Sequence, residues 1–145
     1  MRPSARLAAS SVLLAATALL AACAASVSLD EPIEGRNWRL TSVGMQPVAL
    51  GGDPLRDAQV RFDGARVTGF SGCNQLTGPY ERNGNRLKIG PLAATRMACT
   101  DPTRNALEGS FLGALQGTAS YSMLGRQLTL NDSAGRTLAV LDSGR

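Results

Sequence analysis

Short runs in which apolar and polar residues alternate fill most of the chain, with glycine-containing turns between them. Asn37-Trp38-Arg39-Leu40-Thr41-Ser42-Val43 alternates roughly and is rich in strand formers, so it predicts a strand. Gly44 to Asp57 is rich in glycine and proline and reads as a loop. Gln59-Val60-Arg61-Phe62 is a short strand, Asp63-Gly64 a hairpin turn, and Arg66-Val67-Thr68-Gly69-Phe70 the returning strand. Gln75 to Tyr80, closed by Asn83-Gly84, precedes Arg86-Leu87-Lys88-Ile89. Ser120 to Leu124, Gln127 to Leu130 and Arg136 to Leu141 read as a final three-stranded meander.

One grammar recurs: a turn glycine, an arginine, then alternation. It stands at Gly64-Ala65-Arg66-Val67, Gly84-Asn85-Arg86-Leu87, Gly125-Arg126-Gln127-Leu128 and Gly135-Arg136-Thr137-Leu138. The unequal spacing marks hairpin chemistry and not a solenoid repeat. Arginine on the outward face keeps that face wet and blunts edge pairing.

The pattern changes to a helical period once, after Cys99. Leu107, Phe111, Leu112 and Leu115 fall on one stripe. Thr100 or Asp101 can cap the start, Pro102 fits the first helical position, and Gly117 can end the helix. Burying such side chains against the concave side of a sheet is worth roughly 1.5–3 kcal/mol each; an exposed amphipathic helix is the alternative. The expected fold is α+β: a mainly antiparallel, curled β-sheet (a β-meander) packed around one helix.

The first 22 residues follow a different pattern. Arg2 and Arg6 precede an apolar stretch from Ser10 to Ala22 that is too short to span a bilayer, so residues 1–22 read as a secretory signal. Leu20-Ala21-Ala22-Cys23 resembles the lipobox of bacterial lipoproteins. The resemblance implies that the Cys23 thiol receives a diacylglyceryl group, that the peptide is cut just before it, and that the new amino end carries a further acyl chain such as palmitate. Several chains anchor a protein stably where one does not. Ala24, in place of an acidic residue, implies the outer membrane and a domain facing the periplasm. An ordinary signal peptide with an incidental cysteine is the other reading. The division expected is signal 1–22, tether 23–35 and a single domain over 36–145.

Composition then narrows the chemistry. Histidine is absent, which excludes Ser-His and Cys-His nucleophile pairs, a histidine general base and every histidine metal site. The net charge is +4, but without Arg2 and Arg6 only 13 basic residues face 11 acidic ones. That balance points away from nucleic acid. Neither G-x-x-x-x-G-K-[ST] nor G-x-G-x-x-G occurs, so no phosphate cradle is expected. The reading is a non-enzyme without metal or cofactor, expected to be monomeric.

Beyond Cys23, two cysteines remain, Cys73 and Cys99. In an exported chain an even pair reads as a disulfide. A loop of about 27 residues closed in this way is worth roughly 3–4 kcal/mol. With aromatics only 4% of the chain, that is a large share of domain stability. A reactive thiol and two buried free thiols are the alternatives.

The series Gly69-Phe70-Ser71-Gly72-Cys73-Asn74, then Thr95-Arg96-Met97-Ala98-Cys99, a helix carrying Glu108, and Leu128-Thr129-Leu130 before a closing strand resembles the META domain (HslJ-like) family over about residues 35 to 143. The resemblance implies a compact α+β domain with an antiparallel sheet curled around a helix. It also implies an envelope lipoprotein connected with stress, on a fold similar to that of secretion pilot lipoproteins that hold acyl chains. The family carries no established catalytic residues, so none is transferred.

Ser71, Asn74, Thr95 and Arg96 are the candidate ligand-binding residues, because a Cys73–Cys99 bridge would set both segments side by side. An arginine fork among small polar groups can grip a carboxylate or phosphate. In the structural alternative, glycine and asparagine make a turn while Arg96 satisfies carbonyls or pairs with Asp101 or Glu108. Expected partners are the membrane, through the lipid anchor, and a hydrophobic or peptide ligand or an envelope protein. The competing function is an interaction module, such as an inhibitor of a periplasmic or host hydrolase.

Overall fold

The structure, a computed structural model, describes residues 32–144. The signal segment and Cys23 lie outside the described residues. Ten strands and one α-helix follow in order: β1 (Asn37–Val43), β2 (Gln46–Pro47), β3 (Gln59–Asp63), β4 (Arg66–Phe70), β5 (Gln75–Asn83), β6 (Arg86–Ile89), β7 (Ala93–Ala94), α1 (Pro102–Gly117), β8 (Ser120–Leu124), β9 (Gln127–Asn131) and β10 (Thr137–Asp142).

The pattern-based strands are found where alternation places them, and two-residue hairpins join several of them. Asp63 pairs with Arg66, Asn83 with Arg86 and Leu124 with Gln127, so each loop consists of the glycine and the residue after it. Gly64, Gly84 and Gly125 take φ of 59°, 59° and 60°. A positive φ at the first central position suits the right-handed twist of a hairpin, and glycine reaches it without strain. The stretch Gly44 to Asp57, expected to be loop throughout, holds a further hairpin into β2 and a 3-10 turn at Pro54–Arg56. That turn is capped by Asp53, which accepts the Leu55 N–H.

The expected curled sheet is in fact closed. β1 pairs with β3 through Asn37–Arg39 and with β10 through Arg39–Val43, so the order β1-β3-β4-β5-β6-β8-β9-β10 returns to its start as an eight-stranded barrel. Local alternation could not reveal this, because the closing pair joins strands about a hundred residues apart. The ring is thinnest at β6 and β8, which share one register pair, Arg86 with Ser120.

The barrel is filled by its own inward side chains, among them Trp38, Leu40, Phe62, Leu87, Leu128, Leu130 and Leu141, all fully buried. Full enclosure of such residues is the main stabilising term. The helix touches β1, β6, β9 and β10, strands on different sides of the ring. It therefore closes one end of the barrel and is not wrapped by the sheet. Its buried residues are Phe111, Ala114 and Leu115, whereas Leu107 and Leu112 of the expected stripe are only partly covered.

Asp101 caps α1 as anticipated, accepting the N–H groups of Thr103 and Arg104. Gly117 does not end the helix in a left-handed turn. Thr118 does so in extended conformation: its N–H reaches Leu115 O and its hydroxyl donates to Ala114 O. The opposite end is closed by Ile33, fully buried, whose carbonyl accepts the Trp38 Nε1–H at 2.7 Å. Glu34 bridges to Phe62 and the Gly35 N–H bonds Phe62 O. Residues 33–35, read from the sequence as the end of the tether, are thus part of the folded body.

Candidate functional site

Ser71 to Asn74 form the loop between β4 and β5, on the end of the barrel that α1 closes. The Ser71 N–H bonds Asn74 O at 2.8 Å, and Gly72 takes φ 102°, which a side chain would oppose. Gly69 serves a different need. A Cβ there would collide with Gln59 O and lie 2.9 Å from Val60 Cα, so glycine is required for β4 to approach β3.

The disulfide between Cys73 and Cys99 is formed, with Cα atoms 5.6 Å apart. It brings the second polar segment alongside the first. β7 pairs with β5, and beyond it Thr95 N–H bonds Gln75 O at 3.0 Å. Asn74 then continues the ladder with its side chain. Its Oδ1 accepts the Met97 N–H at 2.7 Å and the Thr95 hydroxyl at 2.9 Å. Its Nδ2 donates to Glu108 Oε2 at 3.1 Å and, more weakly, to Met97 O at 3.4 Å. The Ser71 hydroxyl lies 2.7 Å from Glu108 Oε1, to which its single proton is best directed, and accepts the Asn74 N–H. Glu108 projects from α1, so this network fastens the helix to the β4–β5 loop.

Three of the four sequence-selected residues therefore meet: Ser71, Asn74 and Thr95. Ser71 is fully buried and Asn74 is 5% exposed. Arg96 does not join them. It is exposed, and neither of its anticipated partners is free for it: Glu108 takes Ser71 and Asn74, and Asp101 caps the helix and faces Arg104. An arginine fork cannot compete here because its position points outward. The keystone is Glu108, which spacing alone ties to no particular partner.

A second polar cluster, which no motif signals, lies at the Ile33 end. Arg82 Nε donates to Glu34 Oε1 at 3.0 Å and its NH1 reaches the Tyr121 hydroxyl at 3.1 Å. The Tyr80 hydroxyl donates to the same Glu34 oxygen at 3.1 Å, and its ring stands edge-on to Phe62 at 5.1 Å. Burial pushes the Glu34 carboxyl upward, but a backbone N–H, Arg82 and Tyr80 outweigh it and hold its pKa below the usual value. Burial first, and then the Glu34 carboxylate, push the Tyr80 phenol up to about 12. These groups lock the segment before β1 to β5 and β8.

Two surface depressions flank the helix. One, about 590 Å3, lies between the 46–51 segment and the first half of α1. The other, about 620 Å3, opens along the thin β6–β8 seam beside Gln116 and Thr118. Among the described residues, no cluster of three carboxylate, cysteine or histidine side chains could hold a metal ion, and no helix is long and apolar enough to cross a membrane.

Comparison with known proteins places this architecture. The META domain family model matches residues 31–144. Heat shock protein HslJ of Escherichia coli (strain K12) is 27% identical over 120 residues, covering 81% of this chain and 84% of that relative. An NMR structure of a protein from Burkholderia xenovorans superposes with a TM-score of 0.60 at 27% identity, covering 78% of this chain and 85% of the other. A crystal structure of a duf4847 family protein from Bacteroides vulgatus gives a TM-score of 0.57 at 14% identity, over 80% of this chain and 97% of the other, and shows a shared fold alone.

Proposed function

The chain belongs to the META domain family, and from that premise we propose that it is a non-catalytic, stress-related envelope lipoprotein of the HslJ-like kind that binds a hydrophobic or peptide ligand. The similarity to heat shock protein HslJ supports the stress connection. The lipobox-like Leu20-Ala21-Ala22-Cys23 supports a lipid anchor at Cys23, and Ala24 in place of an acidic residue supports the outer membrane, with the domain facing the periplasm.

The observation that carries the non-catalytic reading is the state of the best polar cluster. Ser71, Asn74, Thr95 and Glu108 satisfy one another and the main chain. A nucleophile needs an approachable oxygen and a base with a free lone pair aimed at it. Ser71 is enclosed, and its neighbouring carboxylate is shared with Asn74. The same cluster supports a rigid end of the barrel, on which a binding surface costs little ordering entropy to use. The filled interior directs any ligand to the outside of the barrel, near this end.

Fatty-acid labelling in intact cells tests the anchor. Labelled palmitate should enter the native protein and be lost in Cys23→Ser; labelling that persists in the variant refutes the anchor. Survival of a deletion strain through a heat challenge tests the stress role, and unimpaired survival speaks against it.

A further inference from the structure

Exposure divides the readily oxidised side chains of this domain into two groups. Trp38 is fully enclosed, Tyr80 and Tyr121 are buried, and Met123 is 5% exposed. The sulfurs of Cys73 and Cys99 are already joined to each other. Histidine is absent from the chain. Against this enclosed set stand two thioethers, Met45 at 95% and Met97 at 70% exposed. Among the described residues, no other methionine, tryptophan or tyrosine is open to solvent.

Both methionines stand on main chain that other groups hold in place. Met45 follows Gly44 in the turn from β1 to β2, where Val43 pairs with Gln46. The Gly44 N–H bonds Leu138 O at 2.7 Å. Asn74 Oδ1 accepts the Met97 N–H at 2.7 Å, and Asn74 Nδ2 reaches the Met97 carbonyl at 3.4 Å. The Cys73–Cys99 bridge begins two residues further along. Neither side chain is part of the apolar core. Oxidation turns a flexible apolar thioether into a polar sulfoxide, which disrupts a core but leaves a surface position standing.

We infer that Met45 and Met97 are modification sites that take up oxygen from peroxides while the rest of the domain stays intact. The sulfur lone pair attacks one peroxide oxygen, the O–O bond breaks and an S–O bond forms. Sulfur loses two electrons, the peroxide is reduced, and with hydrogen peroxide the second oxygen leaves as water. The sulfoxide is the substrate class of methionine sulfoxide reductases, so both positions can be reset. Enclosure of Trp38, Tyr80, Tyr121 and Met123 confines the damage to the two places where it costs the fold least. The inference goes beyond the ligand reading proposed above and requires no ligand.

The test is graded hydrogen peroxide treatment of the folded mature chain, its Cys23 thiol acylated or alkylated, followed by peptide mapping in a mass spectrometer. Met45 and Met97 should gain one oxygen each at least about tenfold faster than Met123. The melting midpoint should not move, and sulfoxide reductases of both stereochemical classes together should return the original mass. In urea the rates of all three should converge, since enclosure is what sets them apart. A double variant, Met45→Leu with Met97→Leu, should melt like the native chain and lose the fast uptake of oxygen. Comparable rates for the three methionines in the folded chain overturn the inference, as does a rate difference that persists in urea. A fall in melting midpoint once only Met45 and Met97 are oxidised overturns it too, and so does fast uptake that survives in the double variant. None of these outcomes bears on ligand binding or on Cys23 labelling, so the readings fail separately.

Discussion

Asn74 is 5% exposed and makes four side-chain contacts, which tie the 95–97 segment and Glu108 of α1 to the β4–β5 loop. Asn74→Ala would leave the Met97 N–H and part of Glu108 without a match. The expected loss is about 2–4 kcal/mol, read by urea denaturation. Asn74→Asp would place a carboxylate against Glu108 and destabilise for a different reason, like-charge repulsion at short range. Glu108→Gln should then restore part of that loss. A double variant no more stable than Asn74→Asp alone would show that Glu108 is not the keystone.

At this scale the sequence is partly transparent. Ser71, Asn74 and Thr95 are legible as neighbours because Cys73 and Cys99 flank them. Arg96 is not, since its outward position depends on the local turn geometry, which spacing does not encode. Glu108 is visible as a helical carboxylate, but its choice of serine and asparagine over arginine is made only when α1 docks.

Among the elements, α1 depends on three fasteners: Asp101 at its start, the Cys73–Cys99 bridge just before it, and Glu108 within it. Asp101→Ala should cost about 1 kcal/mol, as other lost N-caps do. Cys73→Ser, or full reduction, should lower stability by roughly 3–4 kcal/mol with the fold retained; identical melting curves with and without reductant would show that the bridge does not restrain the chain in solution. The helix start was legible because a capping aspartate followed by proline has a local cause. Its last residue, Gly117, was legible as well, but the manner of termination was not: Gly117 stays out of the left-handed region and Thr118 caps the end in extended conformation. Hairpins were legible through their glycines, although each turn sits one residue later than Asp-Gly and Asn-Gly signals suggest, as the ladder keeps Asp63 and Asn83 paired.

For the molecule as a whole, the cluster at the Ile33 end makes stability depend on pH at both extremes. The Glu34 pKa is lowered in the folded state, so its contribution is complete above the unfolded value of 4.5 and is lost as pH falls through the lower folded value. The Tyr80 pKa is raised from 10.0 to about 12, so its contribution is complete below pH 10 and is lost as pH climbs toward 12. Glu34→Gln should flatten the acid limb of an unfolding profile followed by Trp38 fluorescence. An acid limb of unchanged steepness would show that the cluster does not govern it. The thin seam gives a further expectation: in hydrogen exchange, amides of β6 and β8 that face one another should exchange before those joining β1 and β10.

Closure of the ring by β10 against β1 has a temporal consequence. A polypeptide that is made, or threaded through a pore, from its amino end presents β1 first and β10 after every other strand. Until β10 emerges, the stretch of β1 from Arg39 to Val43 has a bare hydrogen-bonding rim. The ring can therefore close only once β10 has been delivered, and until then the open rim is a site for non-native pairing.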